Sequence, residues 1–424
     1  MSLLTDLKDR GLIHQETDAD GLEKHLETPQ TIYCGFDPTA SSLTVGNLVP
    51  IMVLAHFQRA GHTPMVLMGG ATGLIGDPSG KSAERPLLGA AAVTANMEAQ
   101  RRIFQAVLSF DPALPNSAVI VNNAEWLSKP SFIEALRDIG KHFPVNQMLQ
   151  RDSVRERLGR EQGISYTEFS YMLLQAWDFK HLFEHAGVSV QLGGSDQWGN
   201  IVQGVDLVRR TCRKQVFGLT CPLVTRADGG KFGKTEAGPI WLSSDRTSPY
   251  ALYQFFLNTS DTDVGRFLRL FTFLSLKEIE QLETRSQAST AERLAQRALA
   301  REATSIVHGG DAAREAELVS DALFSGDISH LSMSALEGIA GEIPTQRFTA
   351  GMLPVEGLAA VDFACVIGAC TSKRDAREKL GSGSLTLNGR KLTASDVITR
   401  SSLLHGQVAV VRRGKKNWYM AIWA

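Results

Sequence analysis

Residues 31–48 read TIYCGFDPTASSLTVGNL, and the fold class follows from how that stretch is punctuated. The apolar run TIYCGF closes on glycine, a polar loop follows, and Gly46-Asn47 opens a helix whose apolar positions Leu48, Ile51, Met52 and Ala55 keep helical spacing. A strand that passes through glycine into a helix start offers free backbone N–H groups to a phosphate. Similar short apolar runs, bounded by Gly, Pro or Asn, occur in PMVLMGG (64–70), AVIVNN (118–123) and VSVQLGG (188–194). Strands of this kind separated by helical stretches predict an α/β fold with a parallel sheet and crossover helices. In such sheets ligands sit beyond the carboxyl ends of the strands.

Four further segments carry candidate chemistry. GGATGLIGDPSGKSAER (69–85) ends like a phosphate-binding P-loop at Gly80-Lys81-Ser82, but Ile75 stands where the first glycine belongs, which removes the generic ATPase reading. Its Asp77 places a carboxylate in a glycine-dense loop after a strand. In SYTEFSYMLLQAWDF (165–179), Tyr171, Gln175 and Asp178 share one helix face, while Phe169, Met172, Leu173, Leu174, Trp177 and Phe179 make the flanks apolar. A helix buried all round must partner those polar groups, with a ligand or with one another. GGSDQWGN (193–200) lies at another strand end, and KFGKT (231–235) sets two lysines in a loop able to close on a polyphosphate.

Composition bounds the rest. At 424 residues the chain has room for two or three domains, and 43% hydrophobic residues fits a globular protein. No apolar run approaches the ~18–20 residues that span a bilayer. The acidic N-terminal stretch lacks the apolar core of a secretory signal. Cys34, Cys212, Cys221, Cys365 and Cys370 form no CxxC pair, so a reducing cytoplasm is expected and a cysteine zinc site is not. Net charge is −1, yet residues 351–424 hold 11 Lys+Arg against 5 Asp+Glu, leaving 33 against 40 for the remainder. A basic tail on an acidic body points to RNA. After about Ser243 the sequence turns helical, with capping-box spacing at Ser275/Glu278 and Ser289/Glu292. The tail shows a basic helix (373–380), a hairpin signal at Asn388-Gly389 and two final strands about Gly414.

Together and in this order, GFDPT, GGATGLIGDPSGK, SYTEFSYMLLQAWDF, GGSDQWGN and KFGKT resemble the bacterial-type tyrosyl-tRNA synthetases of class I, over nearly the whole chain. The tail resembles an RNA-binding module shared with a small-subunit ribosomal protein. The resemblance implies a Rossmann-like doubly wound catalytic domain (1–242), an α-helical domain (243–330), a linker (331–350) and a small α+β RNA-binding domain (351–424). It implies tyrosine, ATP with Mg²⁺, and tRNA(Tyr) as substrates, no protein-held metal, and a homodimer. Tyr33 and Asp178 are expected at the substrate phenol, Asp77, Tyr171 and Gln175 at its ammonium, and Gln197 near the reacting carboxylate. Cys34, Gly35, Asp37, Gly46, Gly194 and Asp196 match nucleotide-side positions, while Thr39, Lys81, Arg85, Lys231 and Lys234 match the pyrophosphate end. Lys373, Arg374, Arg377, Arg412, Arg413, Lys415 and Lys416 are the expected RNA contacts. One departure is marked. Where the class signature reads His-x-Gly-His or His-x-Gly-Asn, this chain reads Thr44-Val45-Gly46-Asn47. Loss of that imidazole, a donor to the pyrophosphate, raises a non-catalytic RNA-binding descendant as the alternative.

Overall fold

The computed structural model describes residues 2–79, 87–151, 154–155, 158–159, 163–230, 232–235, 238–414 and 417–423. Lys81, Arg85, Lys231, Lys415 and Lys416 lie outside them. The chain divides into two compact units, Met1–Arg246 with Thr259–Glu302, and Thr247–Asn258 with Ala303–Ala424.

The first unit is built on a six-stranded sheet. Its strands are β1 (Gln15–Glu16), β2 (Thr31–Phe36), β3 (Thr63–Met68), β4 (Val119–Asn122), β5 (Val190–Gly194) and β6 (Phe217–Cys221). Their spatial order is β1-β6-β5-β2-β3-β4, parallel except for the β1–β6 pair. The four expected runs become β2, β3, β4 and β5, whereas β1 and β6 were not anticipated. FGLTC is a short run buried at every residue, and such a run has no alternation to mark it as a strand. Among the helices, Leu48–Arg59 buries Leu48, Ile51, Met52 and Ala55 as their spacing predicts. Helix Tyr166–Ala186 starts at Ser165, whose side chain accepts from the Glu168 N–H, and stops at Gly187 with φ of 64°.

The second unit holds a five-stranded sheet made of 390–391, 385–387, 408–413, 417–423 and 345–348, in that order. Alternation along Val408–Arg413 and Asn417–Trp423 sends residues to two cores. Ala409, Val411, Ala421 and Trp423 join Phe363, Ala376 and Leu380. Val408, Val410, Met420 and Ile422 join Val319, Leu323, Leu336 and Ile339. The segment 331–350 carries helix Met333–Ile339 and strand Thr345–Phe348, which pairs in parallel with Asn417–Trp423. The Asn388-Gly389 hairpin forms, with Asn388 at φ of 49° and Gly389 at 85°. No helix among the described residues is long and apolar enough to cross a membrane.

Gly187 sits in the left-handed region, and a β-carbon added there meets nothing within 4 Å. Gly187→Ala therefore tests backbone strain alone. It should lower unfolding free energy by about 1 kcal/mol, read as a shift in the urea midpoint.

Candidate active site

β2 and β5 are neighbours, but the chain leaves them in opposite directions, through β3 and β4 on one side and β6 on the other. A crevice opens beyond their carboxyl ends at this switch point. It is a cavity of about 510 Å³ lined by Tyr33, Cys34, Gly35, Asp37, Thr39, Thr44, Gly46, Asn47, Asp77, Tyr171, Gln175, Asp178, Gly194, Asp196 and Gln197. Tyr33 and Gln197, 164 residues apart in sequence, thus meet at one site. Lys234 is exposed on a short ladder with Pro239 and is outside this lining.

Helix Tyr166–Ala186 delivers Asp178, which is buried. Its two oxygens accept from Asn123 Nδ2 at 3.0 Å and Trp126 Nε1 at 2.8 Å. Burial outweighs those two bonds and holds the carboxyl up at about 8. Tyr33 on β2 is fully buried, and its hydroxyl has no partner among the described residues. Burial, and then the nearby Asp178, push that phenol well above its ordinary range. Gln191, opposite Tyr33 on β5, likewise has a buried Oε1 without a partner. Two unpartnered polar atoms thus border one cavity, each carrying a desolvation cost of about 1–3 kcal/mol until something binds.

A second network lies along the same helix face. Tyr171 Oη donates to Asp37 Oδ2 at 2.8 Å, and Thr72 Oγ1 donates to Asp37 Oδ1 at 2.7 Å. A β-carbon on Gly69 would collide with that carboxylate, so glycine is what lets Asp37 sit there. Gln197 Nε2 donates to Asp77 Oδ2 at 2.6 Å and Asp196 Oδ2 at 3.1 Å. Asn200 Nδ2 reaches Gln175 Oε1 at 3.0 Å and Gln197 Oε1 at 3.2 Å. Burial raises Asp77 from the usual carboxylate range, tempered by hydrogen bonds from Ser79 and Gln197. Four carboxylates line the cavity, and among the described residues no Lys, Arg or His does. Such a site attracts a cationic group.

At the helix entry, Thr44 Oγ1 and Thr44 N donate to Asn47 Oδ1 at 2.9 and 3.0 Å. With its oxygen held from both sides, Asn47 has its amide N–H₂ left to serve a ligand. Sequence reasoning missed Asn123, Trp126, Thr72 and Gln191. Gln191 had a signal, as the one amide in the apolar run VSVQLGG. Asn123 closes AVIVNN, but nothing in the sequence pairs it with Asp178.

In the second unit the expected RNA contacts divide by occupation. Lys373 pairs with Asp362 at 2.6 Å. Arg413 donates to the Ala369 carbonyl at 2.8 Å and pairs with Asp375 at 3.3 Å. Arg374 and Arg377 are both exposed on helix Lys373–Gly381, and neither makes an ion pair among the described residues. Arg412 stacks its guanidinium on Trp418, 5.1 Å from the ring centroid.

Two family models match. Residues 24–325 fit tRNA synthetases class I (W and Y), and residues 341–421 fit the tyrosine-tRNA ligase SYY-like C-terminal domain. A tyrosine-tRNA ligase of Roseiflexus castenholzii is 48% identical, with 99% of each chain covered. One of Geobacillus stearothermophilus is 48% identical over the full length of both. Among solved structures, a C-terminally truncated mitochondrial tyrosyl-tRNA synthetase of Aspergillus nidulans has a TM-score of 0.68 and 35% identity, covering 76% of this chain and 94% of that one.

Asp178 supplies a pH test. Its carboxyl is raised when folded, so the protonated form is favoured in the native state and the group's contribution is lost as pH rises from about 4 through about 8. Asp178→Asn should flatten that decline. The stability difference between variant and parent, from urea unfolding, should move in the variant's favour between pH 5 and pH 8.

Proposed function

Because the chain belongs to the class I tyrosyl-tRNA synthetases, we propose that the carboxylate-lined cavity is where tyrosine and ATP meet before the tyrosyl group passes to tRNA(Tyr). The observation that carries this reading is the buried Tyr33 hydroxyl beside Asp178. The substrate phenol donates to Asp178 and accepts from Tyr33, satisfying an atom left without a partner in the free chain. Phenylalanine would leave the Tyr33 hydroxyl without a partner and offer Asp178 no donor, which is the physical basis of its rejection. Asp77, Tyr171 and Gln175 take the ammonium, with Asp37 aligning Tyr171 through its hydroxyl.

In the first step a tyrosine carboxylate oxygen attacks the α-phosphorus of ATP, forming a C–O–P bond as the bond to the bridging oxygen breaks and pyrophosphate leaves. The nucleophile is already an anion, so no general base is needed. Catalysis is alignment plus stabilisation of phosphate charge. The lining carboxylates repel that charge. The compensating cations are Mg²⁺ arriving with ATP and the segments bearing Lys81, Arg85, Lys231 and Lys234. Gln197 positions the carboxylate; Cys34, Gly35, Asp37, Gly46, Gly194 and Asp196 accommodate the nucleoside, and Thr39 the pyrophosphate end. In the second step a terminal adenosine hydroxyl of tRNA attacks the tyrosyl carbonyl and AMP departs.

Thr44 acts through Asn47. Its two donors turn the Asn47 amide N–H₂ toward ATP, so the missing imidazole is offset by a fixed neighbour. The non-catalytic alternative is not supported, since relatives named as ligases match at 48% identity along the whole chain. We further place the enzyme in the cytoplasm as a homodimer. The dimer reading rests on exposed apolar side chains that concentrate between 132 and 166, including Phe132 at 63%, Ile133 at 69% and Tyr166 at 63% exposure.

Tyrosine should support ATP–pyrophosphate exchange and phenylalanine should not. Tyr33→Phe should narrow that gap by about tenfold. Thr44→Val should slow exchange, while a gain of about 10²–10³ on Thr44→His would mean the first step is impaired in this chain. For assembly, Ile133→Asp should shift sedimentation equilibrium from dimer to monomer.

A further inference from the structure

We propose that the second unit carries a pocket for a single RNA nucleotide, formed where the end of helix Gly310–Ser325 meets the 385–391 hairpin. This rests on the reading that this unit binds tRNA, and it names a place and a mode for that binding.

The pocket is a cavity of about 400 Å³ bordered by Gly326, Asp327, Thr386, Asn388, Arg390 and Arg412. Two glycines create it. A β-carbon on Gly389 would lie 3.0 Å from the Gly326 carbonyl oxygen, and one on Gly326 would lie 2.6 Å from Arg412 Nη1. Both have positive φ, which favours glycine, and a side chain on Gly389 would press on the Gly326 carbonyl where the helix end meets the hairpin turn. Asn388 is spent on the wall, donating to the Ser402 carbonyl at 2.8 Å and accepting from the Val410 N–H at 2.9 Å. Arg412 is steadied on Trp418, and Arg390, which pairs with Asp396 at 3.6 Å, still leaves 72% of its side chain exposed. Two guanidinium groups at one concave site fit a phosphate.

Phe324 supplies the independent observation. Its neighbours Ala322 and Leu323 enter the core, whereas Phe324, one residue before the pocket-lining Ser325, is 86% exposed. An exposed aromatic side chain one residue in sequence from a pocket with two arginines supplies the two groups by which proteins hold splayed RNA nucleotides, a surface for the base and cations for the phosphate. Asp327 takes both Ser329 bonds on Oδ1, leaving Oδ2 to accept from a base amino group. Arg390 and Arg412 then hold the phosphate while the base lies on Phe324.

The test measures binding of a tRNA(Tyr) transcript to the full chain over a range of salt concentrations. Phe324→Ser should weaken binding about tenfold with the salt slope unchanged, because stacking carries no charge. Arg390→Ala should weaken binding and reduce the slope by about one. Arg374→Ala/Arg377→Ala is the control for the broader reading. If that control loses affinity while the Phe324 and Arg390 variants bind like the parent, the pocket is refuted and RNA binding by this unit stands. If all three bind like the parent, the broader reading falls with it. If Phe324→Ser changes sedimentation but not RNA affinity, Phe324 is a protein contact and the proposal is overturned. Thermal melts of each variant establish that it is folded, as the exposure of Phe324 and Arg390 predicts.

Discussion

Four carboxyl groups in one crevice, with no cation lining it among the described residues, are the constraint on which the rest depends. Asp37, Asp77, Asp178 and Asp196 come from four separate segments, and a sheet with a switch point is what brings those segments together. Such crowding is tolerated because each is hydrogen-bonded, Asp37 by Tyr171 and Thr72, Asp77 and Asp196 by Gln197, Asp178 by Asn123 and Trp126, and because Asp178, held up at about 8, is mostly neutral at pH 7. The raised carboxyls of Asp77 and Asp178 record what remains of the desolvation cost. A cationic ligand group would relieve it, and the ammonium of the proposed substrate is such a group.

The same economy explains Thr44. A short hydroxyl cannot replace an imidazole by reach, but it can fix an amide. Thr44 and Asn47 form a closed local pair, with the side-chain oxygen held by both donors of Thr44. In the proposed mechanism one oriented amide takes the place of the signature's imidazoles.

How much of this was readable from sequence depended on whether the signal was local. The runs at 31–36, 64–70, 118–123 and 188–194 announced four strands, and Asn388-Gly389 announced its hairpin, because turn chemistry and alternation act over a few residues. β1, two residues long, and the fully buried β6 gave no such signal. At the site, the face of Tyr171, Gln175 and Asp178 was legible from helical spacing. The partners of Asp178 were not, since Asn123 and Trp126 reach it across more than fifty residues of chain through tertiary packing. Net charge was the least informative feature. A value of −1 averaged an acidic body over a basic tail. Within that tail only geometry separates arginines spent on the fold, such as Arg413, from those facing water.

The central claim is that the carboxylate cluster anchors tyrosine by its ammonium while Tyr33 and Asp178 hold the phenol. Calorimetric titration with tyrosine, tyramine and 3-(4-hydroxyphenyl)propionate tests it most directly, because the two analogues lack the carboxylate and the ammonium respectively. The account predicts that tyramine keeps most of the affinity and that the propionate loses nearly all of it. Equal or tighter binding of the propionate would contradict the account.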